Sequence, residues 1–466
     1  VYLVVGLIAL ITAVNYAELG AALPIAGGGY SFVDRTLPRP VAFMTGLFFW
    51  IGNVAACAMY AVIFAVTVRT YFYPDASVAL ISIVTTLFFA AVNLKGMSEA
   101  LKLITVMNLI EIAVLIGIAI IGLYEIQPPN LAPMAPHGYG NYASGMALVY
   151  ISFVGYELIT VAAEEIKDPG RTIPRAIFIT MGIGTAIYVF VVFVMMATVN
   201  HTELAKSEVP FVLVAETVFG EWGRWAAVTA TIMASLSALS VTLGASGRVL
   251  FALSRDGHLP RVFGKLHSRF RTPHVALALC SVATCVLAAL GVVKFVAEIA
   301  NFGFLMGLGF VNYAVIALRQ KMPALRRPFS GWFYPWLPIL GIITCWAFVS
   351  ALGLQSIVLG TGMALAGIAV YAIKPANRAE ILRVKLLVER AREYLDKRKR
   401  DKMRVLIIGG GQQGQNIARR LLTSDEHRTV FREAEHQITF VEPDERTCQQ
   451  LESSYNAPIF QGDGTK

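Results

Sequence analysis

The chain has 466 residues, of which 56% are hydrophobic and only 15% charged, with a net charge of +9. That balance lies outside the range of an ordinary soluble globular protein and places the chain in a membrane. The basic excess does not point to nucleic acid, because it gathers in loops and in one juxtamembrane stretch, the distribution that orients a membrane protein.

Apolar runs of about 20 residues, the length needed to cross a bilayer, recur from Val1 almost to Tyr371. They predict eleven spans, beginning at Val1, Val41, Val78, Leu101, Ala143, Ile173, Trp225, Val275, Phe295, Trp336 and Ile357. Alternate loops differ sharply in charge. One set runs from Arg35 to Arg327 and holds most of the Lys and Arg, whereas the other holds only Arg69, Lys206, Arg224 and Lys294. By the positive-inside rule the first set faces the cytoplasm, with Val1 outside and the segment after Tyr371 inside. The chain opens in the middle of a hydrophobic run and closes just after a predicted strand in "PIFQGDGTK", which reads as a fragment truncated at both ends. Four of the five cysteines lie in apolar runs without metal-like spacing and read as small core residues.

Ionisable groups within spans are costly and mark functional positions. Glu18, next to the helix-breaking "LPIAGGG", reads as a residue that caps or pairs locally. Glu111, in "VMNLIEIAVLI", has no cation near it in sequence. Such a carboxyl can stay neutral until water or a substrate ammonium arrives, as a proton carrier must, or can bond across two helices as a structural group. The densest constellation is "YISFVGYELITVAAEEIKDPGRTIPRAI", Tyr150 to Ile177. There Ser152, Gly155 and Glu157 interrupt an apolar span, and non-helical backbone at that depth belongs where it lines a cavity. Unwound carbonyls and half-helix ends would bind the charged groups of a small substrate, with Phe153 and Tyr156 as wall or lid. Ser237 and Ser240 form a polar stripe that serves either close helix packing or ion contact.

After Tyr371 the composition turns charged. Residues 374–402 read as a basic amphipathic linker helix. Residues 403–466 open with "MRVLIIGGGQQGQN", a strand running into Gly409, Gly411 and Gly414 and then a helix. The first glycine permits the tight turn, the second admits a pyrophosphate and the third allows close helix packing. A second strand, "QITFVEP", ends at Glu442, where an acid can accept ribose hydroxyls. The tail reads as a partial α/β Rossmann-like unit that binds NAD(H) or an adenine nucleotide, or that is an empty unit of the same shape. No metal cofactor is expected.

The pieces "NYAELGAALPIAGGGYSFV", "NLKGMSEALKLITVMNLIEI", "FVGYELITVAAEEIKDPGRTIPRAI" and "ALSRDGHLP" resemble, in that order, the amino acid permeases of the amino acid/polyamine/organocation (APC) superfamily. The resemblance covers nearly all of residues 1–373. It implies an α-helical integral membrane protein of the LeuT-like fold, whose first ten of twelve spans form two inverted five-helix repeats around discontinuous first and sixth helices. Under it Val1 begins the second span, and the first, with half of the substrate site, is absent. Ser152, Phe153, Gly155, Tyr156 and Glu157 fall on the broken sixth span, Asn53 on the third and Ser237 on the eighth. Glu111 takes a position that is lysine in some proton-coupled relatives, which leaves the coupling ion open between Glu111, Glu157 and no ion at all. The tail resembles the TrkA-N (RCK) nucleotide-binding domains through Gly409, Gly411, Gly414 and Glu442, and implies a homodimer paired through the tails.

These readings converge on a multi-pass inner (cytoplasmic) membrane transporter of amino acids, working by proton coupling or exchange in the lipid bilayer, gated by nucleotide on a cytoplasmic tail. A potassium, other cation or polyamine transporter of the same fold is the alternative within transport, and a non-transporting nutrient sensor the alternative outside it. An enzyme is not expected, since the tail lacks a catalytic His, Lys or Tyr constellation. No nucleic-acid partner is expected either.

Overall fold

The computed structural model describes residues 1–25, 27–95, 97–132, 138, 142–372, 404–408, 437–442 and 459–461, with only the backbone described at 97–103 and in the last three segments. The chain divides into two compact units, Val1–Ile373 and Lys374–Lys466.

The first unit is helical. In chain order it comprises α1 (Tyr2–Ala22), α2 (Gly28–Thr36), α3 (Arg39–Tyr71), α4 (Val78–Lys95), α5 (Met97–Gly122), α6 (Tyr142–Val149), α7 (Pro169–Thr198) and α8 (His201–Lys206). It continues with α9 (Pro210–Arg255), α10 (His274–Ala288), α11 (Val293–Lys321), α12 (Trp336–Ser350) and α13 (Leu354–Tyr371). Among the described residues nine helical segments are long and apolar enough to cross a membrane, and α10 and α12 are shorter apolar helices.

Several helices turn their polarity inward. In α4 the buried residues are Ser82, Thr85, Thr86 and Asn93, while Leu80, Val84, Leu87 and Phe88 are exposed. Water would reverse that arrangement; hydrocarbon favours it, because apolar side chains lose nothing by facing lipid and hydroxyls find partners only inside. Ser82 accordingly donates to the Ala61 carbonyl of α3 at 3.2 Å.

The centre of the unit is α3, which packs against α9 and α11. The α3–α11 crossing is close because glycine meets glycine: a Cβ at Gly303 would lie 2.5 Å from the Gly52 nitrogen and 2.6 Å from the Phe48 carbonyl oxygen. Pro210 to Arg255 is two helices joined at a kink, with Phe219 at φ −136° and Gly220 at φ 60°. The membrane-crossing part therefore begins just before Trp225.

The second unit contains a parallel sheet of β1 (Arg404–Ile408), β2 (Gln437–Glu442) and β3 (Ile459–Gln461), in the order β1-β2-β3. Arg404 pairs with Gln437 and Phe440 with Ile459. Parallel neighbours need crossover connections, and the segments 409–436 and 443–458 that make them lie outside the described residues. So do the linker 374–402 and Gly409, Gly411 and Gly414; Glu442 is the last residue of β2.

Candidate functional site

Between α6 and α7 the span that begins at Tyr142 loses its helix. Residues Tyr150–Phe153 tighten into a 3-10 turn, Val154 is extended at φ −77° and ψ 139°, and Gly155 stands at φ 134° before a second 3-10 segment, Tyr156–Glu165. No residue with a Cβ adopts that Gly155 conformation readily. A Cβ there would meet nothing within 4 Å, so the backbone angle and not crowding requires glycine.

Breaking a helix inside a membrane orphans backbone groups, and each needs a partner. The Gly155 N–H donates to Oε2 of Glu157 at 2.6 Å. Thr160 donates to the Glu157 carbonyl at 2.7 Å. Asn301, fully buried on α11, donates to the Leu148 carbonyl at 2.9 Å. The break is thus held from within by Glu157 and Thr160 and from outside by Asn301.

Beside it lies a cavity of about 610 Å³. Its polar lining comprises Asn53 and Tyr60 of α3, Asn108 and Glu111 of α5, Gly155 and Glu157 of the break, Thr180 and Tyr188 of α7, and Ser237 and Thr242 of α9. An adjoining cavity of about 440 Å³ shares Tyr60, Glu111 and Tyr188 and adds Ser152. Two carboxyl groups face this space, and among the described residues no Lys, Arg or His lines either cavity. The arrangement suits a small guest that brings its own positive charge.

The structure thus gathers Asn53, Glu111, Gly155, Glu157 and Ser237 around the larger cavity and places Ser152 on the adjoining one. Phe153 lies behind the wall, packed on Tyr2 and edge-on to Tyr188 with centroids 6.2 and 5.5 Å apart. Tyr156 points away to meet Tyr16 edge-on at 5.9 Å. Ser240 lies on neither cavity; the Asn93 side chain bonds its carbonyl and hydroxyl, at 3.1 and 3.4 Å.

Glu18 is a correction. It does not cap or pair locally, but is fully buried and takes two hydrogen bonds from Arg319 of α11 at 2.7 Å and one from the Gly331 N–H at 2.7 Å. The reason is topological: α1 and α11 pack side by side, which sequence separation conceals. Tyr60, Tyr188 and Asn301 were not singled out from the sequence. An isolated asparagine in the apolar run "VAEIANFGFLMG" was the one signal available for Asn301.

A family profile described as amino acid permease matches residues 1–373. The chain is 27% identical to the branched-chain amino acid permease BcaP of Bacillus subtilis (strain 168), over 82% of this chain and 86% of that one. It is 28% identical to the low-affinity putrescine importer PlaP of Escherichia coli (strain K12), over 77% and 82% of the two chains. To the methylthioribose transporter of Bacillus subtilis (strain 168) it is 26% identical, over 75% and 80%.

Proposed function

The chain belongs to the amino acid permease family, and on that premise we propose that it is a multi-pass secondary transporter of amino acids, working by alternating access in the cytoplasmic membrane. The observation that carries this reading is the broken span beside a cavity that holds two carboxyl groups and, among the described residues, no basic side chain. Glu157 and the unwound carbonyls receive the substrate ammonium; Asn53 and Ser237 line its path. Glu111, on the facing helix α5, is the candidate proton carrier, and exchange of one substrate for another is the coupling mode that needs no proton.

One observation favours a second substrate class. Glu111 and Glu157 both face the cavity, so a diamine would find one carboxylate for each end, in keeping with the similarity to a putrescine importer.

The tail, in this reading, is cytoplasmic and binds NAD(H) or an adenine nucleotide at Gly409, Gly411, Gly414 and Glu442. Support comes from the glycine spacing and from the parallel β1-β2-β3 order, which is the order such a unit requires. Nucleotide biases transport only by preferring one conformation of the permease, and pairing of two tails would make the protein a homodimer.

Uptake into proteoliposomes of radiolabelled amino acids, putrescine and rubidium tests the assignment. Accumulation of amino acid alone upholds the leading reading and accumulation of putrescine the second. Accumulation of rubidium alone, or of nothing, refutes both.

A further inference from the structure

Away from the central cavity, a smaller one of about 110 Å³ opens where α4 and α9 approach the turn before α10. It is lined by Asn93 of α4, Gly244, Gly247 and Arg248 of α9, and Arg271 and Thr272 of the turn. Two arginines, the half-buried Arg248 and the exposed Arg271, therefore line one small space.

Among the described residues neither meets a carboxylate. There is no Asp or Glu in α4, none in α9 after Glu221, and none from residue 257 to 297. Among the described residues neither guanidinium makes a hydrogen bond or an ion pair. Two like charges converging on a partly enclosed space repel unless an anion stands between them.

The turn is built to keep Arg271 in place. Its φ is 53°, a left-handed conformation that a non-glycine residue adopts at a cost in free energy. Reciprocal backbone bonds maintain it, from Arg271 N–H to the His267 carbonyl at 2.9 Å and from His267 N–H to the Thr272 carbonyl at 2.8 Å. The Thr272 hydroxyl then ties the turn to the end of α4 by donating to the Leu94 carbonyl at 2.8 Å.

Size narrows the ligand. The space, about 110 Å³, is the smallest of the cavities described and admits a compact group such as one phosphoryl. Arg248 lies two turns, roughly 10 Å at 1.5 Å per residue, before the end of α9. Arginine also matches phosphate geometry, offering paired N–H donors.

We propose that the Arg248–Arg271 cavity binds a single phosphate group, supplied by an anionic phospholipid entering from the bilayer or by inorganic phosphate entering from water. Bound there, the anion cross-links the turn and α9, the helix that carries Ser237 to the central cavity. The inference stands independently of the substrate assignment.

The test uses the full chain in phospholipid-free detergent, with melting temperature followed as phosphatidylglycerol or inorganic phosphate is added. Arg248→Gln removes one charge, and Arg271→Asn removes the other with a residue that tolerates the left-handed backbone. Each variant is expected to need about fivefold more anion for the same shift, and without anion each should melt no lower than the unaltered chain, because repulsion is relieved. A response to phosphatidylglycerol alone identifies a headgroup site, and a response to both identifies a site that also takes the free ion. An unaltered chain that responds to neither, or variants that lose anion-free stability yet respond in full, would overturn the proposal.

Discussion

Gly155 and Glu157 are joined by a 2.6 Å hydrogen bond from the glycine N–H to the carboxylate. Glu157→Gln keeps the shape and removes the charge that, in the proposed site, would meet a substrate ammonium. A hydrogen bond to a charged partner contributes about 1.5–3 kcal/mol, so substrate affinity should fall ~10- to 100-fold in an equilibrium binding assay. Gly155→Ala meets no steric obstacle, yet the φ of 134° is foreign to alanine; a loss of about 1–3 kcal/mol in unfolding free energy is expected. Glu111→Gln separates coupling from binding: uptake driven by a proton gradient should disappear while substrate exchange continues, as measured by counterflow. This pair of residues was legible in the sequence because a glycine and an acid two positions apart contradict an apolar run. Tyr60 and Tyr188 were not, since aromatic residues in apolar helices ordinarily pack, and only the cavity that α3 and α7 both border makes these two a wall.

At the scale of elements, the broken span depends on neighbours far away in the chain. Asn301→Leu removes the donor to the Leu148 carbonyl and leaves a buried acceptor without a partner. The expected cost is about 1–3 kcal/mol, read as a lower melting temperature together with weakened uptake. Glu18→Gln leaves Arg319, one of its partners across α1 and α11, without its buried counter-charge, a defect of about 3 kcal/mol by the behaviour of broken buried pairs. A thermal shift smaller than that of Asn301→Leu would contradict the ranking. Span lengths and the inward polarity of α4 follow from hydropathy and residue type, so they can be read locally. The Glu18–Arg319 pair spans 301 positions and could be located only once helix packing was known. Local pattern likewise does not show that Pro210 to Arg255 is divided by a kink at Phe219 and Gly220.

At the scale of the whole molecule, a permease unit and a tail unit share one chain. The tail's strands were readable, because apolar runs bounded by polar and glycine-rich segments are a local pattern; whether the tail holds a ligand was not, because that depends on side chains around the glycines. If nucleotide regulates transport, Gly411→Val should abolish the nucleotide response in proteoliposomes and leave basal uptake unchanged, while loss of basal uptake would show the tail to be structural instead. The central claim, that the cavity beside the broken span is the transport site, is tested most directly by substrate uptake into proteoliposomes containing the unaltered chain or Glu157→Gln. The account predicts uptake by the first and, at sub-saturating substrate, uptake lower by at least ~10-fold for the second, with the two proteins melting at similar temperatures. Equal uptake by both would contradict it.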